Sequence, residues 1–82
     1  MHHNLTLYSK PGCHLCEIAE QLLLGLHREF DFSVEKVDIS ADPALVAEYG
    51  TRIPVIVIDG RTTLEAPIRS QVLRAALNGA NP

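Results

Sequence analysis

Four consecutive β-branched residues, Val55-Ile56-Val57-Ile58, constrain this chain more than any other feature. A strand sends alternate side chains to opposite faces of its sheet. A run that is apolar at every position reads as a strand buried on both faces, so something must cover each side. Asp59-Gly60 follows at once and is a strong tight-hairpin signal. Arg61 to Leu64 then returns as an antiparallel edge strand. At 82 residues the chain has length for one domain, expected over residues 1–82, with a small core.

The flanking segments can supply the cover. Leu5-Thr6-Leu7-Tyr8 alternates as a strand does, and Phe32 to Asp38 does so roughly, with Val34 and Val37 apolar. Between them the period becomes helical from Cys13 to about Glu29. Leu15, Ile18, Ala19, Leu22, Leu23 and Leu26 form one apolar stripe, which Leu24 interrupts and Gly25 weakens. Asp42-Pro43 is a helix start, with Asp as cap and Pro at the first helical position. Leu45, Val46 and Tyr49 give that short helix its apolar face, and Gly50 suits its stop. Pro67 is expected to open a last helix with Ile68, Val72, Leu73, Ala76 and Leu77 inward, ended by Asn78-Gly79. The order is β-α-β-α-β-β-α. The first two strands, joined through a helix, should be parallel, and three helices can cover both faces of a mixed four-stranded α/β sheet.

Charge removes several classes of function. The formal net charge is −3 without a Lys/Arg cluster, which speaks against nucleic-acid or anionic-membrane partners. The longest apolar stretches are too short to span a bilayer. Met1-His2-His3-Asn4 carries no basic and apolar leader pattern, so a cytoplasmic location is expected; His2 and His3 are left out of the argument. In the cytosol permanent structural disulfides are disfavoured. Two cysteines three residues apart then point to redox catalysis, metal binding or inert core thiols.

The chemistry concentrates in Lys10-Pro11-Gly12-Cys13-His14-Leu15-Cys16. This stretch turns from the first strand into the first helix, with Cys13 at or just before the helix N-terminus. Free N–H groups and the positive end of the helix dipole favour an anion there, so the Cys13 thiolate is favoured, and Lys10 adds positive charge nearby. Cys16 lies one turn on, within the Cα separation a disulfide needs. Cys13 is therefore the expected nucleophile and Cys16 the resolving thiol. The Pro-Gly turn exposes the first cysteine, which argues against an inert core pair. His14 sits between the cysteines and is a candidate for tuning their charge. A metal completed within one chain by His14 or His27 is disfavoured, since His14 leaves the helix on another side; a metal shared between two chains stays open.

Tyr8-Ser9-Lys10-Pro11-Gly12-Cys13-His14-Leu15-Cys16, followed by Glu17, Ala19 and Leu22, closely resembles the active-site segment of glutaredoxins. Arg52-Ile53-Pro54-Val55 is similar to the second hallmark of that superfamily. The resemblance runs from Leu5 to about Leu77 and is strongest to short bacterial glutaredoxin-like proteins. It implies a thioredoxin fold with sheet order 2-1-3-4, a cis Ile53-Pro54 bond beside Cys13, and pairing of the Ile53 backbone with an extended substrate, flanked by Thr51 and Arg52. Lys10, Arg52, Ile53 and Pro54 are thus the expected substrate-binding residues. Where glutaredoxins usually carry a Gly-Gly and an Asp-containing segment for glutathione, this chain has Leu64-Glu65-Ala66-Pro67. Glu65 adds a negative charge and Pro67 removes a helix-start N–H, so free glutathione is expected to bind weakly.

The expected activity is dithiol–disulfide oxidoreduction by a Cys13–Cys16 redox pair. No bound cofactor and no metal are expected; the electrons come from glutathione or a reductase protein. The partner is a disulfide-containing protein or a glutathione mixed disulfide, and the chain a monomer. The rival reading is a metal carrier that holds an iron–sulfur cluster through Cys13 between two chains.

Overall fold

The computed structural model describes residues 2–79. Strand β1 spans His3–Ser9, helix α1 His14–Leu26, strand β2 Phe32–Asp38, helix α2 Pro43–Tyr49, strand β3 Val55–Ile58, strand β4 Thr62–Glu65 and helix α3 Ser70–Leu77. A single 3-10 turn, Ile39–Ala41, joins β2 to α2. The sheet order is β2-β1-β3-β4. β1 runs parallel to β2 and antiparallel to β3, and β4 returns antiparallel to β3.

One sheet face carries the main core. Leu5 and Leu7 of β1 and Ile56 and Ile58 of β3 pack with Ala19, Leu23 and Leu26 of α1, Phe32 of β2, and Leu73 and Leu77 of α3. Val55 is also fully buried, so β3 is covered on its other face at that position. The alternation Leu5, Leu7, Ser9 inward against Thr6, Tyr8 outward follows from the pleat.

The hairpin forms as its residues predict. Asp59 and Gly60 have φ of 54° and 68°, the two positive values a type I′ turn needs. Asp42 caps α2 by accepting the Ala44 N–H at 2.9 Å, with Pro43 in the first turn.

Several expectations change. β1 begins at His3, because the His3 N–H reaches Asp31 and the Asp59 carboxylate takes both the His3 ring and the Asn4 N–H. His2 bonds the Ser33 hydroxyl at 2.9 Å, so both histidines hold this end of the sheet. α1 ends at Leu26, and residues 27–29 form a turn in which the Glu29 and Phe30 N–H groups return to the Leu26 carbonyl. Its buried stripe is Cys16, Ala19, Leu23 and Leu26, while Leu15 and Ile18 lie exposed, so the core-facing side is rotated toward Cys16. Gly50 has φ −52°, not the left-handed value; a Cβ there would stand 2.5 Å from the Val46 carbonyl oxygen. A glycine is needed at Gly50 for close approach rather than for backbone freedom. Finally, α3 starts at Ser70, so Pro67 lies in the preceding bend and removes no N–H from the helix start. Val72 is exposed; Leu73 and Leu77 are the buried pair of α3.

Candidate active site

Strand register decides what meets at the reactive end. β1 ends at Ser9 and runs through Lys10-Pro11-Gly12 into Cys13. Tyr8 pairs with Val55, and Val55 with Glu65. The end of β1, the Ile53-Pro54 entry to β3 and the end of β4 therefore share one end of the sheet. Gly12, with φ 76°, makes the turn that L side chains rarely adopt.

Cys13 is the N-cap of α1. Its Sγ accepts the Cys16 backbone N–H at 3.3 Å, within the range for sulfur. The two cysteines are joined in a disulfide with their Cα atoms 5.2 Å apart. Cys13 is half-buried and Cys16 buried. Cys13 is therefore the more accessible of the two cysteines. The Cys13 sulfur thus stands at the positive end of the α1 dipole, beside that N–H.

The remaining expected site residues lie around this pair. Lys10 is exposed in the turn, and His14 is exposed as the first residue of α1. The Ile53–Pro54 bond is cis; Pro54 is buried and Ile53 half-buried at the mouth of β3. His27, farther along, stacks on Phe32 with ring centroids 4.1 Å apart, near the other end of α1. The structure thus brings Cys13, Cys16, Lys10, His14, Arg52, Ile53 and Pro54 to one end and leaves His27 away from it.

Three features here were not read from the sequence. Tyr8 and Tyr49 stack with centroids 4.3 Å apart, and the Arg52 guanidinium lies 5.4 Å from the Tyr49 ring centre. Partial burial, and then the neighbouring Tyr49, push the Tyr8 hydroxyl above its ordinary value. Arg52 bonds both Glu65 oxygens at 3.1 Å, and reaches the Glu48 carbonyl at 3.0 Å and carboxylate at 3.4 Å. The negative charge that Glu65 adds is therefore paired with Arg52. The outward place of Tyr8 in the β1 alternation was the available signal; nothing local linked it to Tyr49. Ser9 is the third: it is 1% exposed, and its hydroxyl finds no partner among the described residues.

A family model described as Glutaredoxin-like domain (DUF836) matches residues 4–78. An uncharacterised protein of Mycobacterium tuberculosis is 42% identical over 60 residues, covering 67% of this chain. The chain spans 62% of the length of that curated relative. The X-ray structure of a structural-genomics target protein from X. campestris superposes with a TM-score of 0.77 at 37% identity, covering 95% of this chain and 99% of that one. A thioredoxin mutant from Halobacterium salinarum shares the fold, with a TM-score of 0.74 at 22% identity, covering 98% of this chain and 75% of that one.

Proposed function

This chain belongs to the Glutaredoxin-like domain (DUF836) family, and from that membership we propose that it is a dithiol–disulfide oxidoreductase acting through Cys13 and Cys16. The observation that carries the reading is the cysteine pair at the start of α1, with Cys13 accepting the Cys16 N–H and Cys16 buried behind it.

In the reduced state the Cys13 thiolate attacks one sulfur of the substrate disulfide. The bond between the two substrate sulfurs breaks as the Cys13–substrate bond forms, and the leaving thiolate takes a proton from solvent. The Cys16 thiolate then attacks the Cys13 sulfur, releases the second substrate thiol and leaves the Cys13–Cys16 disulfide. The substrate gains two electrons and the protein loses two. Two thiols of a reductant, glutathione or a reductase protein, return them by the reverse exchange. Ile53 would pair its backbone with an extended substrate, as in strand addition, with Pro54 holding the mouth of β3. Lys10 would stabilise the Cys13 thiolate electrostatically, and His14 would modulate it. The reading places the protein in the cytoplasm, as a monomer with no resident cofactor. No helix among the described residues is long and apolar enough to cross a membrane.

Cys16→Ser should accumulate mixed disulfides on Cys13, and Cys13→Ser should abolish disulfide reduction. A Cys13→Ser protein that still reduces a disulfide overturns the role assignment. A visible absorption band in freshly purified protein, lost in Cys13→Ser, would instead support a metal carrier.

A further inference from the structure

We propose that Glu65 sets the substrate charge at this site, so that it selects disulfides flanked by positive groups over anionic disulfides such as that of glutathione. The inference rests on the redox reading above and names its substrate class.

A guanidinium offers five N–H donors in a planar fork suited to one carboxylate. In Arg52 the Nε and Nη2 edge is filled by Glu65, and Nη1 is turned to Glu48. The ring of Tyr49, stacked on Tyr8, lies along the guanidinium. The pairing raises the Arg52 pKa, chiefly through the Glu65 hydrogen bonds, so the positive charge persists but is already matched. A substrate carboxylate would have to displace Glu65 and gain only what Glu65 loses.

A cation meets the opposite situation. A carboxylate can accept about four hydrogen bonds. Glu65 gives two contacts to Arg52 and is about half exposed, and Glu48 is more exposed still. Both can receive a lysine or arginine while keeping Arg52. Register puts Glu65 at the same end of the sheet as the turn into Cys13. Among the described residues the other cations near this end are Lys10, Arg69 and Lys36, the last paired with Glu20 of α1, against Glu17 in the first turn of α1 and Asp38 at the end of β2. With Glu48 and Glu65 counted, the balance stays negative. Exposed charges of this kind act through encounter rate and orientation, which salt screens.

The test uses the full chain, reduced with a dithiol and freed of it. Three peptide disulfides of one length are compared, flanked by lysine, serine or glutamate, and the rate of Cys13–Cys16 disulfide formation is followed in a single turnover. The lysine peptide should react about tenfold faster than the glutamate peptide at low ionic strength, the scale on which steering alters association. The ratio should shrink as salt is added. Glu65→Gln should lower it several-fold by freeing the Arg52 fork, and Glu48→Gln should lower it less. Equal rates on all three peptides, or a ratio unchanged in Glu65→Gln, overturn this inference alone. Failure of the wild-type chain to reduce any of the three overturns the redox reading and this inference with it.

Discussion

β3 leaves the sheet at one end through Asp59-Gly60 and enters it at the other through Ile53-Pro54, and the two ends treat their polar groups differently. At the hairpin end these groups close on one another. The Asp59 carboxylate accepts the His3 ring at 2.6 Å and the Asn4 N–H at 2.8 Å, and the His3 N–H is taken by Asp31. At the other end Arg52 ties Glu65 to Glu48, yet Cys13 is only half-buried and the Ser9 hydroxyl has no partner among the described residues. The same strands build both ends.

The largest expected effect separates the ends outright. Cys13→Ser should cut disulfide reduction by on the order of a thousandfold or more, as loss of a covalent nucleophile does. Its thermal unfolding should match that of the reduced wild type. Asp59→Ala should do the reverse, lowering the melting temperature by thermal scan while leaving turnover intact. A large activity loss in Asp59→Ala would break the comparison.

Glycine substitutions sharpen it next. Gly50→Ala places a Cβ against the Val46 carbonyl at the end of α2, beside the Tyr49–Arg52 cluster. Overpacking of this kind costs about 1–3 kcal/mol. Gly60→Ala meets nothing within 4 Å but must hold φ 68°, which costs about 1–2 kcal/mol. Urea unfolding should rank Gly50→Ala as at least the equal of Gly60→Ala, and only Gly50→Ala should also slow turnover.

Acid should weaken the hairpin end through Asp59. The His3 hydrogen bond, and then the Asn4 N–H, hold the Asp59 carboxyl below its ordinary value. Asp38 is lowered by Ser40, and Glu29 by Arg74. Each binds its proton less tightly folded than unfolded. The stabilisation is therefore complete above the ordinary carboxylate range and is lost as pH falls through it and below. Melting temperatures from pH 6 to pH 2 should fall, and Asp59→Asn should flatten part of that fall. The smallest effect is expected at Ser9. Ser9→Ala removes a buried hydroxyl that makes no hydrogen bond among the described residues, so stability should stay within about 1 kcal/mol of wild type and tend upward. A marked loss on urea unfolding would show that the hydroxyl is held after all.

Much of this contrast was legible in the residues themselves. Asp59-Gly60 demands its turn wherever it stands, because few other pairs tolerate two positive φ values. Cys13 could be placed at a helix start because the period changes beside it from two to 3.6. The Arg52–Glu65 pair could not be read, because its members are 13 residues apart and meet only once β4 has folded back along β3. The His3–Asp59 contact spans 56 residues and has the same cause.

Alone, the sequence determined the order of elements, the parallel relation of β1 and β2, the antiparallel relation of β3 and β4, the hairpin and the position of the cysteine pair. Each of these depends on neighbours along the chain: periodicity, a capping Asp, a turn dipeptide, a crossover helix. Tertiary structure decided which part of a broad apolar stripe is buried. Leu15 and Ile18 belong to the α1 stripe as fully as Leu23, yet they lie outside, and Cys16 takes a core place instead. It also decided that α3 begins at Ser70 rather than at Pro67, and that Gly50 is required by a carbonyl rather than by its own φ. Helical periodicity fixes which side chains share a face, but the rotation of that face about the helix axis is set by the surface it packs against, and that surface is assembled from strands distant in the chain.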